Sequence, residues 1–404
     1  MKRRTVIILM CLAMASCDPR LPAGPDLYVD FESIDAPTTL LSDTSRSFMD
    51  GVYEVLQGSS ELGNPVVGKW IGNRFRVCSQ HDVVYSISAG GFSGDSIKLR
   101  GYMRVVRSGS GSRVKLNVSS TDGAREVITG MPPGTLRILG ETEEGMTLEL
   151  KRVRGIIPSP FAVLAHRGGG RNSDRLGISE NSIEMIRYAG TLGATGVEVD
   201  VKRTRDDKLI LFHDATFSPR TVQGAYLLGK VENYDLEQIT ALGKLIHGEQ
   251  IPTLEQALKA VIDDTELSLV WLDMKDPGAV AQVVRIQEDM MAYAAARGRD
   301  SVSILLGIPS QEVLDAYIPF KEVSDALVEL EAETALSLPR CRVWAPVWTR
   351  NISDGDVATM HANGRRVFTW TVDLRESIVG YLNRIDGILS NYPTLVVALR
   401  DSRN

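Results

Sequence analysis

Two spacings of hydrophobic residues divide this chain. Over residues 48–154, short apolar runs such as GVYEVL, RFRVCS, VVYSISA, SIKLRGYMRVV, RVKLNV, TLRILG and MTLELKRV are separated by Gly, Ser, Asn and Asp. Short runs punctuated by turn residues predict antiparallel strands, and many of them in succession predict an all-β domain, either a sandwich or a small closed barrel. GIIPSPF, residues 155–161, reads as a linker. Beyond it, strand-like runs begin at AVLAH (162), GVEVDV (196), LSLVWLDMK (267), SVSILLGI (301), ALVELE (326), RVWAPVW (342), RRVFTWTV (365) and DGILSN (386). Helical stretches lie between most of them, notably NSIEMIRYAGTL, LEQALKAVI, AVAQVVRIQEDMMAYAAA and ESIVGYLNR. Eight strands with interposed helices over roughly 245 residues match one (β/α)8 TIM barrel, spanning 155–404, with a doubly wound open sheet as the alternative. The barrel is favoured because His166, Glu198, Asp200, Asp273, Lys275 and Trp370 all fall at or near the carboxyl ends of expected strands, where barrel enzymes build their sites.

The amino terminus has a different character. MKRRTVIILMCLAMASC, residues 1–17, combines a basic start, an apolar run too short to span a bilayer, and small residues before a cysteine. This is an export signal. Its MASC ending resembles a bacterial lipoprotein lipobox, which implies that Cys17 is lipidated and that the chain is anchored in the cell envelope, facing the periplasm or the outside. Met14 stands where leucine is commoner, and a cleaved but unlipidated protein is the alternative. Residues 18–47, proline-rich at first and without apolar periodicity, form a tether and the entry to the first domain.

Composition narrows the field further. The chain has 404 residues, 43% of them hydrophobic and 24% charged, enough for two globular cores. A formal charge of -6 argues against nucleic acid as a partner, because phosphate backbones are bound by basic surfaces. Cys78 and Cys341 fall in different expected domains, and no Cys/His zinc spacing occurs.

The candidate chemistry centres on GVEVDVKRTRDDKLILFHD, residues 196–214. On an extended strand Val197, Val199 and Val201 share one face while Glu198 and Asp200 share the other. Their carboxylates stand roughly 7 Å apart, and in a poorly hydrated site each would raise the pKa of the other unless a cation balanced them. An oxygen-only donor set favours magnesium, calcium or manganese. His213 is then free for proton transfer.

At this point the chain resembles the glycerophosphodiester phosphodiesterase family over essentially all of residues 160–404. The resemblance is carried by LAHRG, SENSIEMI, GATGVEVDVKRTRDDKLILFHDATFSPRT, IPTLEQAL, WLDMK, FTWTVD and DGILSNYP, in that order. It implies a metal-dependent phosphodiesterase that hydrolyses glycerophosphodiesters, the deacylated phospholipid head groups, to an alcohol and glycerol 3-phosphate. By matching position it implies His166 and His213 as general acid and base, and Glu198, Asp200 and Asp273 as ligands of one divalent ion, calcium or magnesium, with manganese a further candidate. It also implies Arg167 and Lys275 at the phosphate oxygens, Glu180 and Asn181 in the substrate pocket at the opening of the first helix, and Trp370 near the glycerol. The family more often has glutamate at the Asp273 position and proline at that of Ser179, and its simplest members have a shorter loop than HRGGGRNSDRLGISEN.

Two other readings remain at this stage. Phospholipase D-like phosphodiesterases acting on lysophospholipids or sphingolipids share this chemistry, and an apolar rim around the site would favour them. In the other, a non-catalytic lipid-anchored binding protein captures a glycan or lipid with its β-rich domain, in which GVYEV and GYMRVV resemble lipocalin-like barrels. Trp271, Trp344 and Trp348 are expected in packing, and His247 and His361 have no assigned role.

Overall fold

The computed structural model describes residues 39–403, apart from 82–83, 107–109, 170–175 and 225. The signal sequence, Cys17 and most of the tether lie outside these residues. Strands β1 (Gly51–Gln57), β2 (Val66–Ile71), β3 (Arg74–Cys78), β4 (Val84–Ser93), β5 (Ser96–Val105), β6 (Ser110–Val118), β7 (Arg137–Thr142) and β8 (Thr147–Arg154) each pair with the next, and β8 returns to β1. Of the two all-β expectations, closure of the ladder gives a barrel, not two packed sheets. A short helix, Asp43–Ser47, enters it, with Leu41 and Met49 buried in its core. The lumen is filled by Tyr53, Phe75, Ile97, Leu99, Leu116 and Ile138, among others. A lumen packed in this way is a core, so a captured glycan or lipid would have to bind outside it.

Strands β3 to β5 bury residues on both faces. Phe75, Val77, Val84, Ile97 and Leu99 point into the lumen, whereas Cys78, Tyr85, Ile87 and Tyr102 join the core of the second domain. The outer face is a buried contact with polar groups set into it. There the Tyr188 hydroxyl meets those of Tyr85 at 2.8 Å and Tyr102 at 2.6 Å, all three buried. Arg76, 1% exposed, lies against Gly193, whose φ is +90° and where an added Cβ would stand 1.7 Å from the guanidinium. Only glycine meets both demands. Gln80 donates to Ser402 Oγ at 2.7 Å, and Arg154 to the Ser402 carbonyl at 2.8 Å, fastening the barrel to the end of the chain.

The second domain closes as well. Strands β9 (Ala162–Ala165), β10 (Gly196–Arg203), β12 (Leu269–Met274), β13 (Ser303–Ile308), β14 (Ala326–Val328), β15 (Cys341–Trp344), β16 (Arg366–Thr369) and β17 (Gly387–Ser390) run parallel, and β9 pairs with both β17 and β10. Closure excludes the open-sheet alternative. The antiparallel β11 (Leu209–Leu211) extends β10 outside the ring. Leu164, Leu269, Trp271, Leu305, Leu327, Val343 and Phe368 fill the interior, while alternate residues such as Val163, Val270, Leu272 and Ile304 face the helices. Those helices are α1 (Ile183–Thr191), α2 (Leu254–Asp264), α3 (Val280–Ala295), α4 (Gln311–Tyr317), α5 (Ala332–Ser337), α6 (Asp354–Ala362), α7 (Arg375–Tyr381) and α8 (Pro393–Asp401). Helix α2 opens with a capping box between Thr253 and Gln256, which satisfies amide groups that would otherwise lack partners.

Between β11 and α2 the chain leaves the barrel and builds a small core of its own from Phe212, Phe217, Val222, Leu227, Val231, Ile239 and Leu245. This excursion sits beside the site, because it begins at Phe212 and His213. No helix among the described residues is long and apolar enough to cross a membrane.

Candidate active site

The carboxyl ends of the parallel strands open into a cleft of about 320 Å³. His166, Arg167, Glu198, His213, Asp273 and Lys275 line it together with Trp271, Glu329 and Trp370. Glu198 and Asp200 lie on the inner face of β10, and the parallel register sets Asp200 beside Asp273 of β12. Oxygens of Glu198, Asp200 and Asp273 all approach within 4.8 Å of one another. Glu198 Oε1 and Asp273 Oδ1 are buried and take no hydrogen bond, and Asp200 Oδ1 has the Lys275 ammonium 3.1 Å away. Buried anionic oxygens left open in this way fit a hard divalent cation.

Electrostatics express the same crowding. Burial pushes the Glu198 carboxyl well above the usual range, and Asp200 and Asp273 push it further. Burial also raises Asp273. Asp200 is held below its ordinary value despite its burial, by Lys275, by His213 and by the Asn181 amide. One carboxylate of a crowded set stays ionised while its neighbours resist ionisation.

The histidines are oriented by hydrogen bonds on their far sides. His166 Nδ1 lies 2.8 Å from Asn391 Oδ1, and Asn391 Nδ2 donates to Asp373 Oδ2 at 2.6 Å. The aspartate fixes which way the amide points, so Asn391 accepts and His166 Nδ1 carries the proton. Nε2 is thereby left unprotonated toward the cleft, 3.8 Å from Glu198 Oε2. Burial, with Arg167 nearby, lowers the His166 pKa to about 4. His213 Nδ1 lies 2.9 Å from Asp214 Oδ1. Asp214 is partly buried, which pushes it up, but His213 and Arg220 hold it below its ordinary value.

Several of the expected residues are engaged by protein groups. Lys275, expected at the phosphate, bonds Asp273 and lies against Asp200, because paired carboxylates attract the nearest ammonium. Arg167, also expected there, is 4% exposed, and its Nη1 donates to Glu180 Oε1 at 2.8 Å. Its backbone turns left-handed, φ +54°, which aims its amide N–H at Glu198 Oε2, 2.7 Å away. Glu180 also accepts from Arg220, which in turn holds Asp214, so a chain of ion pairs runs from Arg167 to His213. Asn181 lies before α1 with φ +59°, and both ends of its amide engage Asp200. Trp370 lines the cleft edge-on to Trp271, and its Nε1 donates to the Ala345 carbonyl. Trp271 and Trp344 are buried as expected, whereas Trp348 is 44% exposed.

The sequence reading gave no role to Asp214, Arg220, Glu329, Asp373 or Asn391. Glu329 directly follows β14, at the place where His166 follows β9. The rule that selected the other residues, polar groups at strand ends, would have selected it too.

The sequence profile described as the glycerophosphoryl diester phosphodiesterase family matches residues 166–307. A glycerophosphodiester phosphodiesterase of Caldanaerobacter subterraneus subsp. tengcongensis is 28% identical over 251 residues, 59% of this chain and 96% of that protein. Human glycerophosphodiester phosphodiesterase 1 is 35% identical over 106 residues, 24% of this chain and 29% of its own length. Among solved structures, a glycerophosphodiester phosphodiesterase from Parabacteroides distasonis aligns with 60% of this chain and 97% of its own, at 23% identity and a TM-score of 0.49.

Proposed function

The chain belongs to the glycerophosphoryl diester phosphodiesterase family, and on that premise we propose that its second barrel hydrolyses glycerophosphodiesters to an alcohol and glycerol 3-phosphate. The observation that carries this reading is the meeting, at one cleft, of three clustered carboxylates, two of them buried, with two imidazoles pinned through Nδ1. Glu198, Asp200 and Asp273 would hold one divalent ion, calcium or magnesium before manganese. When bound, that ion supplies charge neutralisation for the phosphoryl oxygens.

His166, neutral because its pKa is about 4, takes the proton of the attacking hydroxyl at Nε2. Asp214 stabilises the imidazolium of His213, which gives its Nε2 proton to the leaving oxygen. The ion pairs from Asp214 through Arg220 and Glu180 to Arg167 hold the His213 loop and the His166 turn in one frame. Asn181 keeps Asp200 facing the cleft. The same proposal includes a lipid anchor at Cys17, so that the segment between Cys17 and Thr39 tethers the enzyme to an envelope membrane.

The test uses the chain from residue 18, stripped with chelator. Release of glycerol 3-phosphate from glycerophosphocholine and glycerophosphoethanolamine is followed as magnesium, calcium or manganese is restored, beside a His166→Ala control. Metal-dependent release that the substitution abolishes supports the reading. A folded, metal-loaded protein inert on both substrates refutes it.

A further inference from the structure

Glu329 is the cleft acid to which the proposed chemistry gives no task. It follows β14, the fifth strand of the ring, across the barrel from β9 and His166. Its Oε1 is buried and takes no hydrogen bond. The neighbouring Trp271 indole, 1% exposed, favours ionisation of this carboxyl as a hydrogen-bond donor beside it, although its N–H falls outside ideal geometry. The Trp271 donor covers one side of the carboxyl at most, and the buried Oε1 stands open in the wall of the cleft. Such groups usually have a partner, and an open one costs on the order of 1–3 kcal/mol.

Charge balance indicates what the partner is. Arg167 and Arg220 are matched by Glu180 and Asp214. Glu198, Asp200 and Asp273 would be matched by Lys275 together with a divalent ion. Glu329 is left over. Burial, reinforced by Asp273, holds its carboxyl well above the ordinary range, as suits an acid whose counter-charge is missing.

Resting on the phosphodiesterase reading above, we propose that Glu329 selects substrates whose alcohol carries an ammonium group, primary or quaternary, over those with a neutral alcohol. The zwitterionic diester brings the missing positive charge. The neutral one leaves a carboxyl desolvated without compensation, and discrimination of this kind comes from unpaired buried groups.

Two measurements test this. In isothermal titration of the metal-loaded protein, phosphocholine is compared with methyl phosphate, which shares the phosphate and lacks the ammonium. We expect phosphocholine to bind roughly tenfold to a hundredfold more tightly, Glu329→Gln to erase that preference, and Glu329→Asp to retain part of it. Methyl phosphate binding stays within about twofold in each variant, which reports an intact site. In turnover, kcat/KM for glycerophosphocholine falls by a similar factor in Glu329→Gln, while that for glycerophosphoglycerol is unchanged. Equal affinity of the wild type for both phosphates, or a parallel loss of both in Glu329→Gln, overturns the assignment of Glu329. Failure of the wild type to cleave even glycerophosphoglycerol overturns the phosphodiesterase reading, and the inference with it.

Discussion

Asn181 offers a direct test of how the site is built. Its side chain is 1% exposed; Nδ2 donates to Asp200 Oδ2 at 2.7 Å, and the Asp200 amide N–H donates to Asn181 Oδ1 at 3.1 Å. Asn181→Ala removes a hydrogen bond to a carboxylate, worth about 1.5–3 kcal/mol, and leaves a buried N–H open at a further cost of about 1–3 kcal/mol. The left-handed backbone, φ +59°, adds roughly 1 kcal/mol of strain for alanine that asparagine and glycine largely avoid. The expected loss of unfolding free energy is therefore about 3.5–7 kcal/mol, and Asn181→Gly recovers about 1 kcal/mol of it. Because Asp200 loses the partner that aims it, affinity for the divalent ion falls by about tenfold to a hundredfold. Urea melts of the metal-free protein give the stability change, and titration calorimetry with magnesium and calcium gives the affinity. A loss below about 1 kcal/mol with wild-type metal affinity would show that Asn181 does not position Asp200.

Three further outcomes follow from the geometry. Asp273→Asn relieves repulsion among three clustered carboxylates, so the metal-free protein keeps its stability or gains about 1 kcal/mol while metal affinity drops at least tenfold; a stability loss with unchanged affinity would place Asp273 outside the metal site. His166 has a folded pKa of about 4 against 6.5 unfolded. Between those values the unfolded chain binds more protons, so its contribution is complete above pH 6.5 and is lost as pH falls toward 4. The upper limit is about 3 kcal/mol, reduced because the side chain stays 17% exposed, and His166→Asn should remove that slope from melts across the window. Tyr188→Phe strands the Tyr85 and Tyr102 hydroxyls in the contact between domains, costing about 1–3 kcal/mol without changing kcat; altered turnover at full stability would contradict a purely packing role.

The strands and the positions of their polar ends are legible along the chain. All eight barrel strands lie where the alternation of apolar runs and helical stretches predicts them, because a buried parallel strand needs a continuous apolar run and such runs are visible locally. Glu198 and Asp200 share a face by the two-residue period of a strand, which needs no tertiary information. What that period cannot decide is which distant groups meet. Closure of β17 onto β9 brings Asn391 to His166, and the chain's return from Arg220 brings a cation to Asp214 and Glu180. Lys275 and Asp273 were legible as neighbours, but their closure into an ion pair with Asp200 depends on the register between β10 and β12. Strands β3 to β5, buried on both faces, show the same limit. Their sequence records two buried faces, yet only docking against Tyr188 and Gly193 reveals that the outer one is covered by the second barrel. Burial pattern is written locally in side chains, whereas the identity of whatever buries them depends on chain closure over hundreds of residues.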